Sequence, residues 1–179
     1  MDIAIDRGLT PISFEEQFSA AFKTHFPGIR RLADRLSGDP HAADDLAQEA
    51  FVRLFRRGSL PESPAAWLAT VALNLFRNDH ARRGRRLRLL TPAAGERVHS
   101  DPEPSPIQQA EASDEQSRVR QAMNRLSERE RHLLLLRAEG YSYRDLAATL
   151  DLNEASVGTL LARAKRAFLM HYGEDSDAS

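Results

Sequence analysis

The sequence predicts an all-α protein made of two small helical domains joined by a flexible acidic linker. Apolar residues recur at the helical spacing in nearly every periodic segment, and no stretch alternates as a half-buried strand does. A proline-rich acidic stretch without apolar periodicity divides the chain. Hydrophobic residues are 41% of the chain and aromatic residues 7%, a balance that suits packed helical domains better than a sandwich or barrel.

The first domain is expected at residues 12–90. Phe14, Phe18 and Phe22 recur every four residues and predict one face of a helix, which Pro27-Gly28 is expected to interrupt. The run Ser37-Gly38-Asp39-Pro40 is typical of a break between helices. The remaining predicted elements are helices over 29–36, 40–57 and 65–88, with a loop over 58–64.

The linker is expected at residues 91–113 and the second domain at 114–172, followed by a frayed polar tail. Ser127 with Glu130, and Ser142 with Asp145, have the spacing of capping boxes that begin helices. Asn153 is a good N-cap for a last helix after a short turn. Two short helices joined by a tight turn indicate a helix-turn-helix, although similar helix pairs occur in domains that bind nothing.

Composition excludes several classes of protein. The sequence has no cysteine, so disulfides and thiolate metal sites are excluded. It has no apolar run long enough to span a bilayer and no signal-like N-terminus, which favours a cytoplasmic protein without direct membrane insertion. The net charge of −1 conceals a basic block over 77–88 beside an acidic block over 96–115.

The helix over 40–57 is expected to bury a stripe of alanine, leucine and phenylalanine. Its opposite face carries Asp45, Gln48, Glu49 and Val52. An ordinary solvated face explains the charged residues equally well, and the apolar Val52 among them is only a weak hint of a partner.

The helix over 65–88 is expected to show Asn74, Arg77 and His80 outward and to end in an arginine cluster. Arginines neutralise phosphates, and asparagine and arginine can hydrogen-bond base edges, so this face suits a nucleic acid. Trp67 near the preceding loop can support an unstacked base, although burial in the core is the simpler interpretation. The last helix, from residue 154, similarly presents small and basic residues outward, including Thr159, Arg163 and Arg166.

Two blocks of sequence resemble bacterial RNA polymerase sigma factors. The run Asp44-Asp45-Leu46-Ala47-Gln48-Glu49-Ala50-Phe51-Val52-Arg53-Leu54-Phe55 resembles region 2.2, and Ala65-Ala66-Trp67-Leu68 with Asn74-Leu75 and the following arginines resembles regions 2.3 and 2.4. The stretch from Leu126-Ser127-Glu128-Arg129-Glu130-Arg131 to Leu161-Ala162-Arg163-Ala164-Lys165-Arg166 resembles region 4. The order of these blocks is similar to the extracytoplasmic-function (ECF) group of the sigma-70 family, which has only regions 2 and 4.

The resemblance implies a function: binding to core RNA polymerase and promoter-specific initiation of transcription. It implies contacts with the clamp helices of the polymerase largest subunit and with the flap, an anti-sigma factor as a further partner, and no cofactor or metal. The implied polymerase-binding residues are Asp44, Asp45, Gln48, Glu49 and Val52. Those implied for the melted −10 element are Trp67, Asn74, Arg77, Asn78, His80, Arg82 and Arg83. Those implied for the −35 element are Arg144, Ser156, Thr159, Arg163, Lys165 and Arg166.

The chain departs from the family pattern in the second domain. Gly158 stands where the family often has lysine, Leu160 where it often has arginine, and Asp151 where it has a turn glycine. Two cations that reach DNA are thereby missing from the last helix. An alternative is therefore a sigma-like adaptor or anti-sigma-binding module that reads DNA weakly, which the intact arginine cluster disfavours. An enzyme is disfavoured because the six histidines lack metal-ligand spacing and the chain has no phosphate-cradling glycine loop.

Overall fold

The computed structural model describes residues 13–90 and 114–176. Within these ranges it contains seven helices and no strand, which confirms the all-α prediction. The predicted linker and the acidic block lie largely outside the described residues. None of the described helices is long and apolar enough to cross a membrane. The helices are α1 Phe14–Ser37, α2 Pro40–Arg57, α3 Pro64–Leu90, α4 Asp114–Arg125, α5 Glu128–Ala138, α6 Tyr143–Leu150 and α7 Glu154–Ser176.

Helix α1 runs without a break through Pro27, so the predicted interruption at Pro27-Gly28 is wrong. Proline removes one backbone donor and disfavours a helix interior. Here both flanks of the proline are held by packing: the Phe26 ring lies 5.6 Å from the Phe51 ring of α2, and Ile29 is fully buried. Tertiary contacts on each side therefore hold the helical path that local propensity opposes.

The break between α1 and α2 is confirmed and follows from its sequence. Gly38 ends α1 with a φ of 64°, a left-handed conformation that glycine adopts without steric cost. The Asp39 carboxylate then accepts hydrogen bonds from the amides of His41 and Ala42, and Pro40 occupies the first helical position. The sharp turn lays α2 back along α1.

The core of the first domain lies between α1, α2 and α3. Ile29, Leu32, Leu54 and Leu68 are fully buried, and Leu73 nearly so. Fully burying one such side chain stabilises a fold by about 1.5–3 kcal/mol. These anchors fix the rotation of α2 and α3 and so determine which of their faces point away from the core.

The second domain is built by α4 to α7 around Leu133, Leu136, Leu146 and Val157, all buried. Helix α7 extends to Ser176, so the polar tail predicted from residue 173 is wrong for residues 173–176. Contacts with α4 account for the longer helix. Arg125 pairs with Glu174 at 3.4 Å, and the Arg118 guanidinium lies over the Tyr172 ring.

The two domains pack against each other. Helices α1 and α3 of the first domain face α5 and α6 of the second. The Thr149 hydroxyl on α6 donates to the carbonyl of Ala66 on α3 at 3.3 Å, and Thr149 is buried. The sequence left the relative placement of the domains open, and this interface is a feature that it did not predict.

Candidate nucleic-acid and polymerase interfaces

Helices α6 and α7 form the predicted helix-turn-helix. The Ser142 hydroxyl accepts from the Asp145 amide and donates to its carboxylate at 2.6 Å, which confirms the capping box at the start of α6. Asp151 ends α6 with a φ of 52°, the left-handed conformation for which the family's glycine is suited. The Asn153 side chain then accepts from the Ala155 amide at 2.9 Å and caps α7, as predicted.

Helix α7 is divided into a buried and an exposed side. Val157, Leu161 and Ala164 pack into the core. The exposed side includes Thr159, Arg163, Lys165 and Arg166, four of the six residues predicted to read the −35 element. A continuous polar and basic face on the second helix of a helix-turn-helix is suited to a DNA groove.

The other two predicted −35 residues have local partners. Ser156 is half-buried, and its hydroxyl donates to the Asn153 carbonyl at 2.7 Å, so this side chain contributes to the turn. Arg144 is exposed at the start of α6 and donates to Glu62 of the first domain at 2.6 Å.

The two positions that depart from the family differ in their surroundings. Leu160 is half-buried and packs against the core. Gly158 lies within α7, and a Cβ at this position would stand 3.5 Å from the Tyr143 ring, an ordinary van der Waals separation. The Arg137 guanidinium lies over the same ring, 5.7 Å from its centroid. Space for a side chain therefore exists at position 158.

Helix α3 carries the residues predicted to capture the −10 element. Asn74, Arg77, Asn78, Arg82 and Arg83 are all exposed. His80 is half-buried, with its ring 6.0 Å from that of Phe76.

Trp67 is half-buried and packs against the core, while the Arg57 guanidinium lies over its ring at 5.9 Å. The simpler interpretation of Trp67 as a core residue is thus consistent with its position, and its predicted role toward DNA remains a prediction.

Arg77 forms an ion pair across the domain interface. Its Nε donates to the carboxylate of Glu128, in the first turn of α5. Burial alone raises the pKa of Glu128, but the hydrogen bond and charge of Arg77 outweigh burial, so the pKa lies below its ordinary value. Asn74 and Arg77 also line a cavity of about 270 Å³ whose opposite wall includes His132 and Asp151 of the second domain.

A second polar contact joins the loop before α3 to the start of α6. The Ser63 hydroxyl donates to Asp145 at 2.8 Å, next to the Glu62–Arg144 pair. Burial raises the pKa of Asp145, but hydrogen bonds from Ser142 and Ser63 outweigh it and hold the pKa below its ordinary value. Asp145 therefore caps α6 and contacts the first domain with one charged carboxylate.

The outer face of α2 takes no part in the polar contacts between the two domains that are described above. Asp45 and Gln48 are exposed, and Val52 keeps 40% of its surface in solvent beside them. Glu49 pairs with Arg53 one turn further along, at 2.9 Å.

Asp44, predicted to belong to this face, instead accepts a hydrogen bond from Arg30 of α1, which raises the pKa of that arginine. Phe55, one turn after Val52, is 53% exposed. The sequence analysis did not single out Phe55, and its position in the sigma-like motif is the signal that would have found it.

The geometry defines a helix-turn-helix protein with a second helical domain that has its own basic face. Comparison with known proteins gives the family. Residues 21–86 match the family model described as Sigma-70 region 2, and residues 116–168 match that described as Sigma-70, region 4. The chain belongs to the sigma-70 family of RNA polymerase sigma factors, in its ECF group, as the resemblance predicted.

The chain is similar to curated sigma factors from several bacteria. It is 35% identical to the ECF RNA polymerase sigma factor EcfG of Rhodopseudomonas palustris, over 79% of this chain and 75% of the relative. It is 33% identical to the ECF RNA polymerase sigma factor SigE of Mycolicibacterium smegmatis, over 80% of this chain but only 57% of the relative. Relatives of this kind are DNA-binding regulators and not enzymes.

Two solved structures share the fold. The sigma factor RpoE of Bartonella quintana, solved in complex with the anti-sigma factor NepR, superposes with a TM-score of 0.64. It is 25% identical, and the match covers 87% of this chain and 96% of that one. CnrH, in complex with the cytosolic domain of CnrY, superposes with a TM-score of 0.63 at 22% identity, over 90% of each chain.

Proposed function

We propose that this chain binds core RNA polymerase in the cytoplasm and directs it to promoters, with a separate task for each of three surfaces. The exposed side of α3 captures the melted −10 element, the exposed side of α7 reads the −35 element, and the outer face of α2 docks on the polymerase clamp helices. The observation that carries the proposal is the surface of α3, on which two asparagines and three arginines are exposed, namely Asn74, Arg77, Asn78, Arg82 and Arg83. The bounds 12–90, 91–113 and 114–172 are the proposed division into domains and linker.

The α3 face has the chemistry that strand capture requires. Unpairing and unstacking a base costs a few kcal/mol, which contacts with the extruded strand must offset. Asn74 and Asn78 can bond base edges, while Arg82 and Arg83 can follow the phosphates. Trp67 with Arg57 over its ring, at 5.9 Å, lies at the start of the same helix and is positioned to support a base.

The α7 face is less strongly basic near its N-terminus, where a recognition helix meets base edges. Gly158 offers no side chain there, so the proposed contacts are Thr159 and Ser156 near the bases, and Arg163, Lys165 and Arg166 further along. Arg144 at the start of α6 is placed to meet a phosphate beside the groove. We expect −35 binding by this chain to depend more on phosphate contacts than on base contacts.

The α2 face suits a protein partner better than DNA, since Asp45 and Glu49 would repel phosphates. Val52 and the half-exposed Phe55 provide apolar area beside the acidic residues. Interfaces commonly combine an apolar centre with a polar rim. An anti-sigma factor is a further proposed partner, supported by the likeness to a sigma factor solved with one.

Run-off transcription tests the function. Purified core polymerase and this chain are supplied with a library of randomised promoters, and the transcripts are sequenced. Promoter-specific transcripts are expected. A chain that binds core polymerase but yields none would instead be the sigma-like adaptor, the alternative that Gly158 favours.

Alanine at both Asn74 and Arg77 tests the division of surfaces. The double variant is expected to lose open-complex formation, measured by permanganate reactivity of the −10 region, and to retain near-normal affinity for core polymerase. Asn124→Ala with Arg125→Ala is the matched control, because it removes the same residue types from exposed positions on α4. Loss of core binding by the α3 variant would show that the α2 and α3 faces are wrongly assigned.

A further inference from the structure

A cavity lies between α3 of the first domain and α5 and α6 of the second. It has a volume of about 270 Å³, close to the lower end of the roughly 300–1,000 Å³ typical of small-molecule sites. Its wall combines polar and charged side chains with two leucines, Leu73 and Leu150. Polar groups that converge on a concave space fix the orientation of a small ligand. The volume limits such a ligand to about the size of an amino acid.

One end of the cavity offers hydrogen-bond acceptors. Thr70 of α3 and Thr149 of α6 both line it, and both hydroxyls donate to the carbonyl of Ala66, at 2.8 and 3.3 Å. A hydroxyl that has donated its hydrogen can only accept from a ligand. Asp151, two residues after Thr149, adds a carboxylate that makes no hydrogen bond or ion pair with any residue that the structure describes. This end is therefore suited to a cation that donates, such as an ammonium group.

The other end of the cavity offers donors. Positions 70 and 77 of α3 are seven residues apart, or about 10 Å along the helix axis. Arg77 pairs with Glu128, and Arg129 is the next residue of α5, so Arg129 joins the wall at this end. Arg77 is already neutralised by Glu128, whereas the Arg129 guanidinium has no ion pair or hydrogen bond within residues 13–90 and 114–176. Arg129 is therefore available to a carboxylate, which it can bind with two parallel hydrogen bonds.

We propose that this cavity binds a small zwitterion, an α-amino acid with a short apolar side chain. The ammonium group donates to Asp151 and the threonine hydroxyls, and the carboxylate accepts from Arg129. The apolar side chain lies against Leu73 and Leu150. Arg129 and Asp151 are both exposed and line one cavity without pairing with each other, so a ligand that carries both charges can reach them and bridge them. Binding at this site does not depend on the DNA-binding roles proposed above.

Thermal unfolding of the full chain with alanine, valine or leucine tests for binding. A ligand that binds only the folded chain, at about ten times its Kd, raises the Tm of a chain of this length by roughly 3–6 °C. For a Kd of about 1 mM this requires about 10 mM amino acid. At least one of the three is expected to give this shift. Isocaproate, which lacks the ammonium group of leucine, and isoamylamine, which lacks its carboxylate, are expected to give none.

Two single variants, Arg129→Gln and Asp151→Asn, each remove one charge of the site and leave its shape nearly unchanged. Asparagine tolerates a positive φ as aspartate does, so the left-handed conformation at position 151 is kept. Each variant is expected to weaken binding about tenfold or more, measured by saturation-transfer NMR titration of the amino acid. Arg56→Gln with Asp45→Asn is the matched control, because it changes the same residue types at exposed positions on α2. The control is expected to bind the amino acid as the wild type does.

Each other outcome has a definite meaning. The absence of a Tm shift with all three amino acids would overturn the site. Binding that survives in both cavity variants would place the ligand elsewhere and overturn it as well. Isocaproate binding as tightly as leucine would overturn the role of Asp151. Circular dichroism shows whether each variant keeps its helicity, and if one loses it the other decides. No polymerase or DNA is present in these assays, so a failure of the proposed sigma activity is detected separately in the run-off assay.

Discussion

Gly158 offers a test of how this chain reads the −35 element, because comparing alanine with lysine at this position separates the effect on helix stability from the effect on DNA contact. The residue lies inside α7, and a Cβ would meet only the Tyr143 ring, at 3.5 Å. The added atom therefore fits without movement. Glycine in a helix interior costs about 0.8–1 kcal/mol relative to alanine. Gly158→Ala is expected to raise the free energy of unfolding by about that amount, and the Tm by roughly 2–4 °C.

Gly158→Lys adds a cation at the position where the family often has one. Lysine has nearly the helix propensity of alanine, so the two variants should have similar stability and differ mainly in charge. One new phosphate contact steepens the dependence of log affinity on log salt by about 0.9. The advantage of lysine over alanine in binding a −35 duplex should therefore shrink about 3.5-fold between roughly 50 and 200 mM salt.

Urea unfolding of the full chain measures the stability change, and anisotropy titrations at the two salt concentrations measure the DNA contact. The alanine variant is the control for helix propensity. A lysine variant that is more stable than the wild type, but whose DNA affinity depends on salt as that of the alanine variant does, would refute the placement of position 158 at the DNA. An alanine variant less stable than wild type would refute the conclusion that the Tyr143 ring leaves room for a side chain.

Three further predictions concern the helix-turn-helix and its contacts. Ser142→Ala removes the capping box of α6 and is expected to lower the free energy of unfolding by about 1 kcal/mol in urea titrations, whereas Ser142→Thr, which keeps the hydroxyl, should lose much less. Asp151→Gly relieves a left-handed residue and should stabilise the chain by about 0.5–1 kcal/mol in the same assay; destabilisation would mean that the Asp151 side chain has a role of its own. The pKa values of Glu128 and Asp145 are both lowered, so their contribution to stability is complete above their ordinary values of 4.5 and 3.8 and is lost as pH falls through the lower folded values. The free energy of unfolding, measured in urea at a series of pH values, should accordingly decrease below about pH 4, and Glu128→Gln should weaken that dependence.

The parts of the site that were predicted from the sequence are those fixed by neighbours three or four residues apart. Ser127 and Glu130 form the capping box that their spacing indicates, and so do Ser142 and Asp145. The exposed and buried sides of α7 follow from the helical period, because the apolar residues must face the core. Local chemistry alone is sufficient for these elements.

The predictions that failed depend on contacts between distant parts of the chain. Pro27 stays helical because Phe26 packs against Phe51 of α2 on one side and Ile29 is buried on the other, which the local sequence does not show. The pair of Arg31 and Glu139 joins residues 108 positions apart, and that of Arg77 and Glu128 joins residues 51 apart. An exposed arginine on a helix is compatible with many partners, so its residue type predicts affinity for an anion without specifying whether that anion is a carboxylate or a phosphate.

Glu128 and Glu139 lie at opposite ends of α5 and differ in what stabilises their charge apart from their arginine partners. Its carboxylate lies in the first turn of α5, where unpaired amides and the helix dipole favour negative charge. Without Arg77 the carboxylate would keep that stabilisation and gain water, since about half of its side chain is already exposed. Glu139, at the far end of α5 and almost fully buried, has neither compensation. Loss of Arg77 should therefore cost little stability, whereas loss of Arg31 and Arg35 should cost several kcal/mol, about 3–5 kcal/mol for a buried charge left without its partners.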